Sequence, residues 1–237
     1  MTSLRPVTSP GPDATPRTGL GLGVAAKGAL TAYAAVVLVH LVAQWRDADG
    51  VANATQWLAV PCLVVALVAQ TRLGSRLARL TAAGLVWSWV GDTLPDFVPE
   101  AVSFIVLMGA FLVAHVFFIA GFWPWRRESL LHSRIAWVYG AAAVVLVVAC
   151  APEAGPLAVG VAVYAAALAV MALLAAGIDR LAGIGGVLFV VSDALIAIRT
   201  FVPWVQVPEN GFLVMATYLA ALLLMILGVL RRLASRA

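Results

Sequence analysis

The chain has 237 residues, of which 63% are hydrophobic and 11% charged, with a formal net charge of +4. Soluble domains run at about half apolar and about a quarter charged, so a water-exposed fold of this length cannot hide so much apolar surface, whereas a lipid bilayer can. The basic excess suits contact with anionic lipid headgroups and not with nucleic acid.

Fourteen arginines stand against one lysine, Lys27. With the abundance of Ala, Val, Leu and Gly, this is the codon bias of a GC-rich bacterial genome, and the bacterial cytoplasmic (inner) membrane is the expected location. Cys62 and Cys150 both fall in apolar runs and read as buried free thiols.

Residues 1–22 are rich in Pro, Thr, Ser and Gly. They read as a disordered cytoplasmic tail, not a signal peptide, because the first apolar stretch comes too late and is too long. Residues 23–232 read as a transmembrane helical domain and 233–237 as a short cytoplasmic tail. Within the domain, breaks at charges and prolines leave eight apolar runs, at 23–45, 55–71, 77–95, 101–124, 134–151, 156–177, 181–203 and 211–230. A spanning helix needs about 20 apolar residues, and runs so uniformly apolar are not alternating barrel strands. The expected fold is therefore an all-α polytopic bundle of eight transmembrane helices.

The basic residues orient the bundle. If the N-terminus is cytoplasmic and all eight runs span, thirteen basic residues lie on the cytoplasmic side and only Arg46 and Arg199 on the other. Positive charge concentrates on the cytoplasmic face of membrane proteins, so both termini are expected there. Dropping one run would scatter the downstream arginines onto the wrong face.

Two segments resemble each other. Gly84-Leu-Val-Trp-Ser-Trp-Val-Gly-Asp92-Thr-Leu94 and Gly185-Gly-Val-Leu-Phe-Val-Val-Ser-Asp193-Ala-Leu195 share a glycine-to-aspartate spacing of eight. They lie four helices apart and so run in the same direction. This suggests a parallel four-plus-four repeat of a kind known in transporters, although biased composition also yields such short matches by chance.

Ionisable groups inside membrane helices are costly and default to functional candidates. Asp92, Asp193, His115 and His40 stand out, with Tyr218 beside them. Counted from the nearest basic residue at about 1.5 Å per residue, all five lie roughly 16–20 Å from the cytoplasmic anchors, which is one layer of the bilayer. Each has a bland counterpart. Asp92 is close to Pro95 and a helix end, His115 and Tyr218 can satisfy neighbouring helices, Ser192 can bond back to its own helix, and His40 reads as structural. Ser88 precedes Asp92 by one turn on the same face. If Asp92 and Asp193 meet in a low-dielectric interior they will not both carry charge, which gives one acid and one base.

Four stretches together resemble a known family. They are Leu85-Val-Trp-Ser-Trp-Val-Gly91-Asp92-Thr-Leu94, Gly109 to Phe122 around His115, Gly186 to Arg199 around Ser192-Asp193, and Thr217-Tyr218. Over roughly 55–230 the chain resembles the lysoplasmalogenase-like (YhhN) family of polytopic membrane proteins. The resemblance implies hydrolysis of the vinyl ether of a lysoplasmalogen to a fatty aldehyde and a glycerophospho-headgroup compound, with a lysophospholipid or another ether lipid as partner and no cofactor. Asp92 and Asp193 would be the acid and base and His115 a water-orienting or proton-relaying catalytic residue. Ser88, Ser192 and Tyr218 would hold hydrogen bonds to the substrate, and Arg199 would receive the lipid phosphate. Two positions depart from the family's pattern: Val60 stands where a lysine commonly precedes Pro61, and Ala220 and Ala221 stand where a glutamine commonly follows Thr-Tyr.

Three other classes fit less of the sequence. Three histidines with no His-x-x-x-His pair give little basis for a metal-dependent hydrolase, and no metal site is expected. A proton-coupled lipid or solute carrier would also use intramembrane carboxylates. A family member that keeps the fold and has lost its activity is a further reading, which the two departures leave open. No obligate protein partner is evident.

Overall fold

A computed structural model describes residues 21–236; residues 1–20 and Ala237, which belong to the two tails expected at the chain ends, lie outside the described residues. Eight α-helices follow in chain order: α1 Val24–Trp45, α2 Asp49–Thr71, α3 Arg76–Thr93, α4 Glu100–Phe122, α5 Ile135–Ala154, α6 Ala158–Ala175, α7 Arg180–Phe201 and α8 Asn210–Ala234. The all-helical expectation holds among the described residues. The boundaries agree with the apolar runs except at α2, which starts six residues earlier than position 55. Asp49 sits in its first turn, where a carboxylate complements the helix dipole. Counting apolar residues alone misses that polar turn.

Six stretches are long and apolar enough to cross a membrane. One of them, Ile135–Ala175, holds both α5 and α6 and runs 41 residues. As a straight rod it would be about 60 Å long, twice a bilayer core. It folds back instead at Gly155, whose φ of 49° and ψ of −123° suit a residue without Cβ, and α5 packs along α6. α3 is absent from the six because it carries Arg76, Arg79, Ser88 and Asp92 in 18 residues. It is the polar helix of the bundle, and its buried face carries Thr81, Ser88 and Asp92.

Cross-helix contacts set neighbouring helices antiparallel, α1 with α2, α2 with α3, and α7 with α8. Gln70 at the end of α2 accepts from the N–H of Gly23 at the start of α1. Gln56 meets Asp92 across α2 and α3, and Ser192 meets Val214 across α7 and α8. One end gathers Arg76, Arg126, Arg180 and Arg231, and is called the basic end here; the far end holds Arg46, Pro95, Glu100 and Arg199.

Small residues set the closest crossings. A Cβ on Gly185 would lie 2.6 Å from the carbonyl oxygen of Ala221, and one on Gly228 would lie 2.7 Å from Ala182 N, so α7 and α8 touch backbone to backbone. In lipid, where burial of apolar area does not draw helices together, such close approach supplies the dispersion contact. Gly84 and Gly91 on α3 instead receive the rings of Phe118 and Phe111 from α4. Phe118 and Phe122 pack in the basic half of the bundle, whereas Phe111 borders the far half beside Tyr218. At the basic end, Arg232 of α8 donates to Glu128 and stacks over the Trp125 ring, with Arg236 over the same ring.

Candidate functional site

The far half of the bundle is hollow. A cavity of about 550 Å³ is lined from α1, α2, α3, α4, α7 and α8 and contains Asp92, Asp193, Ser192 and Tyr218. Its rim carries Gln44, Gln56, Asp96, Glu100, Ser103 and Arg199, a mixture of both charges and neutral donors.

Local sequence puts the two carboxylates there. Ser75 caps α3 by accepting from the N–H of Ala78, and Pro95, which has no N–H to extend the ladder, ends it just past Asp92. Gln56 Nε2 donates to the Asp92 carbonyl at 2.9 Å, so the frayed end is satisfied from α2. The Pro95 turn that follows is pinned by Trp57 Nε1 donating to Asp96 at 2.9 Å. On α7, Asp179 caps the first turn by accepting from Leu181 N, and Asp193 sits two turns beyond the tight Gly185 crossing with α8.

Each aspartate is buried and held by one tyrosine. Tyr218 Oη on α8 donates to Asp92 Oδ2 at 2.7 Å, and Tyr164 Oη on α6 donates to Asp193 Oδ2 at 2.6 Å. Asp92 is 6% exposed and Asp193 8%, and that residual exposure faces the cavity. Among the described residues no hydrogen bond engages the second oxygen of either carboxylate, leaving one acceptor on each for a guest. The two carboxylates line the same cavity. Tyr33 on α1 donates to the carbonyl of Leu219 at 2.7 Å and fixes the turn of α8 that carries Tyr218.

The structure thus gathers Asp92, Asp193, Ser192, Tyr218 and Arg199 at one cavity. Ser192 Oγ is already engaged with the Val214 carbonyl at 3.1 Å, so its hydroxyl ties α7 to α8. Two expected site residues do not line the cavity. Ser88 is buried and donates to the Gly84 carbonyl one turn back at 3.0 Å. His115 is fully buried behind the site, its ring 5.1 Å from those of both Tyr164 and Phe189 in edge-on contacts, and neither ring nitrogen has a hydrogen-bond partner among the described residues. His115 therefore touches the tyrosine that holds Asp193, not the space in front of it. His40 lies between α1 and α2, its Nδ1 3.0 Å from the carbonyl of Ala52 and from Thr55 Oγ1.

Sequence reasoning did not single out Tyr164. It sits in Val-Ala-Val-Tyr-Ala-Ala-Ala with no polar neighbour to draw attention to it. A signal was present, since a phenol amid small residues in a membrane helix needs a partner for its hydroxyl. The groups that hold the Pro95 turn, Gln56 and Trp57, were missed for the same reason: they act through neighbouring helices.

No group of three His, Cys, Asp or Glu side chains suited to a metal ion occurs among the described residues. Val60 and Ala221, the two departures from the family pattern, are fully buried in apolar packing.

The family model of YhhN matches residues 51–229, most of the chain and every helix that lines the cavity except α1. The chain belongs to the YhhN family. Neither a curated protein nor a solved structure matches it. The match begins within α2 and ends near the close of α8, so the family's shared part holds both tyrosine-bound aspartates, while α1 adds Tyr33 and Gln44 from outside it.

Proposed function

We propose that this member of the YhhN family is a membrane-embedded hydrolase that cleaves the vinyl ether of lysoplasmalogen-type lysophospholipids. The observation that carries the reading is the pair of buried carboxylates, each held on one oxygen by a tyrosine and each turning toward the same cavity. Eight membrane crossings belong to the reading, with the basic end cytoplasmic and the cavity opening on the opposite face. A parallel repeat would pair α3 with α7, although their aspartates take tyrosines from non-equivalent helices, α8 and α6.

The chemistry asks for two groups of opposite protonation. A carboxylic acid gives its proton to the β-carbon of the vinyl ether, and the C=C electrons form the new C–H bond. The α-carbon and ether oxygen then share the positive charge of an oxocarbenium ion, which the neighbouring carboxylate stabilises at short range in a low-dielectric cavity. Water attacks the α-carbon while a carboxylate takes its proton. The resulting hemiacetal breaks its C–O bond, its hydroxyl proton passing to the departing glycerol oxygen, and yields a fatty aldehyde and a glycerophospho-headgroup alcohol. One water is consumed and no electron acceptor is needed. Asp92 and Asp193 fill the two roles, Tyr164 and Tyr218 hold them in place, and Arg199 at the rim meets the phosphate.

A proton-coupled carrier would use the same carboxylates. What favours hydrolysis is the packing of the basic half, where Phe118 and Phe122 fill the space against α3 and Arg232 and Arg236 close over Trp125. The test uses purified protein in detergent, given a lysoplasmalogen and its saturated-ether analogue. Aldehyde released from the vinyl ether only, and lost in Asp193→Asn of unchanged elution profile, is the expected result. Full aldehyde release by Asp193→Asn overturns the mechanism, and gradient-dependent uptake in vesicles without aldehyde overturns the reaction in favour of transport.

A further inference from the structure

A second hollow meets the polar cavity at Asp193. It is narrow, about 50 Å³, and almost wholly apolar. Phe104, Leu107, Asp193 and Ile196 line both spaces, so the two adjoin at the Asp193 carboxylate. From there the hollow passes Ala165 and Ala197 toward Leu146 on α5. Its lining on α6 runs from Val161 to Leu168, roughly 10 Å along the helix axis.

The helix packing explains why this hollow exists and where it leads. α4 packs on α6 and α5 packs on α6 and α7, whereas among the described residues α4 and α5 make no substantial contact with each other. The two helices stand apart as walls over a floor of α6 and α7. Phe104, Met108 and Leu146 at the top of these walls are only partly buried and border the lipid-facing surface. Small side chains keep the floor open, since Ala165 and Ala197 fill little of it, and Gly160 just admits the Met108 methyl, 3.2 Å from where its Cβ would be.

We propose that this seam holds the aliphatic chain of a single-chain amphiphile whose polar part occupies the larger cavity, and that the seam is the side opening through which the chain reaches the site from the bilayer. The proposal deepens the hydrolase reading, on which its choice of substrate rests. Polarity supports it: one guest spanning both spaces must be charged at the Arg199 end and apolar beyond Asp193. The narrowness of the seam suits one chain, and the surface groove between Leu38 and Val51 shares no residue with the cavity. The register follows. With the chain in the seam and the headgroup at the rim, the bond between the two parts lies beside Asp193, where a proton donor has its use.

Two measurements test it. First, a lysolipid bearing a diazirine on its mid-chain carbons is photolysed with the wild-type protein in detergent, and labelled peptides are mapped. Label on α4, α5 and α6 is expected; label confined to α1 and α2 overturns the proposal. Second, kcat/KM for aldehyde release is compared between long-chain and butenyl-chain vinyl-ether lysolipids in Ala197→Trp and in the gentler Ala165→Leu. The long-to-short ratio should fall roughly tenfold, the effect of displacing about two methylenes from an apolar site. An unchanged ratio in both folded variants overturns it. Labelling in the seam by a protein that releases no aldehyde supports the chain site and sinks the hydrolase reading alone.

Discussion

Tyr218 on α8 donates a 2.7 Å hydrogen bond to Oδ2 of Asp92 on α3, joining residues 126 positions apart inside the buried face of the bundle. The Tyr33 hydroxyl, bonded to the carbonyl of Leu219, fixes the same turn of α8 from α1. A carboxylate held by one oxygen keeps its other oxygen aimed, and the aim is what acid or base catalysis needs. Tyr218→Phe keeps the ring that packs edge-on against Phe111 and Phe189 and removes only the donor. Hydrogen bonds to charged groups contribute about 1.5–3 kcal/mol, so kcat/KM for aldehyde release should fall roughly 10- to 100-fold, and the unfolding temperature should drop as well because Asp92 loses its buried partner. The same substitution placed in Asp92→Asn should cost much less, a coupling that a double-mutant cycle reads directly.

His115 gives a different signature. It touches Tyr164 and Phe189 and neither hollow, so its role is to seat the tyrosine that holds Asp193. His115→Phe preserves an aromatic edge at that spot and should stay within about tenfold of wild-type kcat/KM, since one step of positioning is softened and no proton donor is lost. His115→Ala leaves a void in a packed interior and should cost a few kcal/mol, seen as a lower unfolding temperature in detergent. Loss of activity in His115→Phe as complete as in Asp193→Asn would make the imidazole a participant in the proton transfers.

Rough position along the helices was legible in the sequence, and azimuth was not. Counting residues from the nearest arginine puts Asp92, Asp193, Tyr218, His115 and His40 at one level, and the first three do line one cavity. His115 and His40 face elsewhere, one behind Tyr164 and about a turn nearer the basic end, and one against α2. A residue count fixes a rise of about 1.5 Å per position but not which face turns inward, because a helix apolar all round carries no stripe to orient it. The direction in which Tyr164 turns was illegible for that reason, and so was the seam. It arises from two helices that do not touch, and no single segment's composition records the absence of a contact. α3 shows the converse. Its polar face, from Thr81 through Ser88 to Asp92, is visible in the sequence and is the buried face in the fold.

The crossing of α7 over α8 yields a stability prediction independent of any reaction. Gly185 has the Ala221 carbonyl 2.6 Å, the Met225 side chain 2.8 Å and Met225 N 2.9 Å from a would-be Cβ, so backbone atoms stand in the way as well as a side chain. Gly185→Leu must push the two helices apart, an overpacking cost of about 1–3 kcal/mol or more. The opposite expectation holds for Gly109 on α4, which has nothing within 4 Å. There, Gly→Ala removes backbone freedom from a helix interior and should stabilise by roughly 0.5–1 kcal/mol. Thermal unfolding in one detergent reads both, and a neutral Gly185→Leu would mean that the helices separate without loss.

Arg199 stands at the rim, exposed on α7 about two turns beyond Asp193, where a headgroup phosphate would rest while the chain lay in the seam. A charge that meets the phosphate equally well before and during reaction contributes uniform binding, which appears in KM and leaves kcat alone. We therefore expect Arg199→Gln to raise KM for a lysophospholipid vinyl ether roughly tenfold at low salt with kcat within about twofold, and added salt to narrow the gap by screening the wild-type arginine. Arg199→Lys should recover only part of the difference, because a point charge replaces a fork that can bind two phosphate oxygens. The decisive control is a vinyl-ether monoglyceride, which has the chain and the scissile bond without the phosphate. Its KM should be the same for wild type and Arg199→Gln. An equal penalty on both substrates would assign Arg199 to holding the Asp96 and Glu100 side of the rim in shape, and would move the phosphate elsewhere in the cavity.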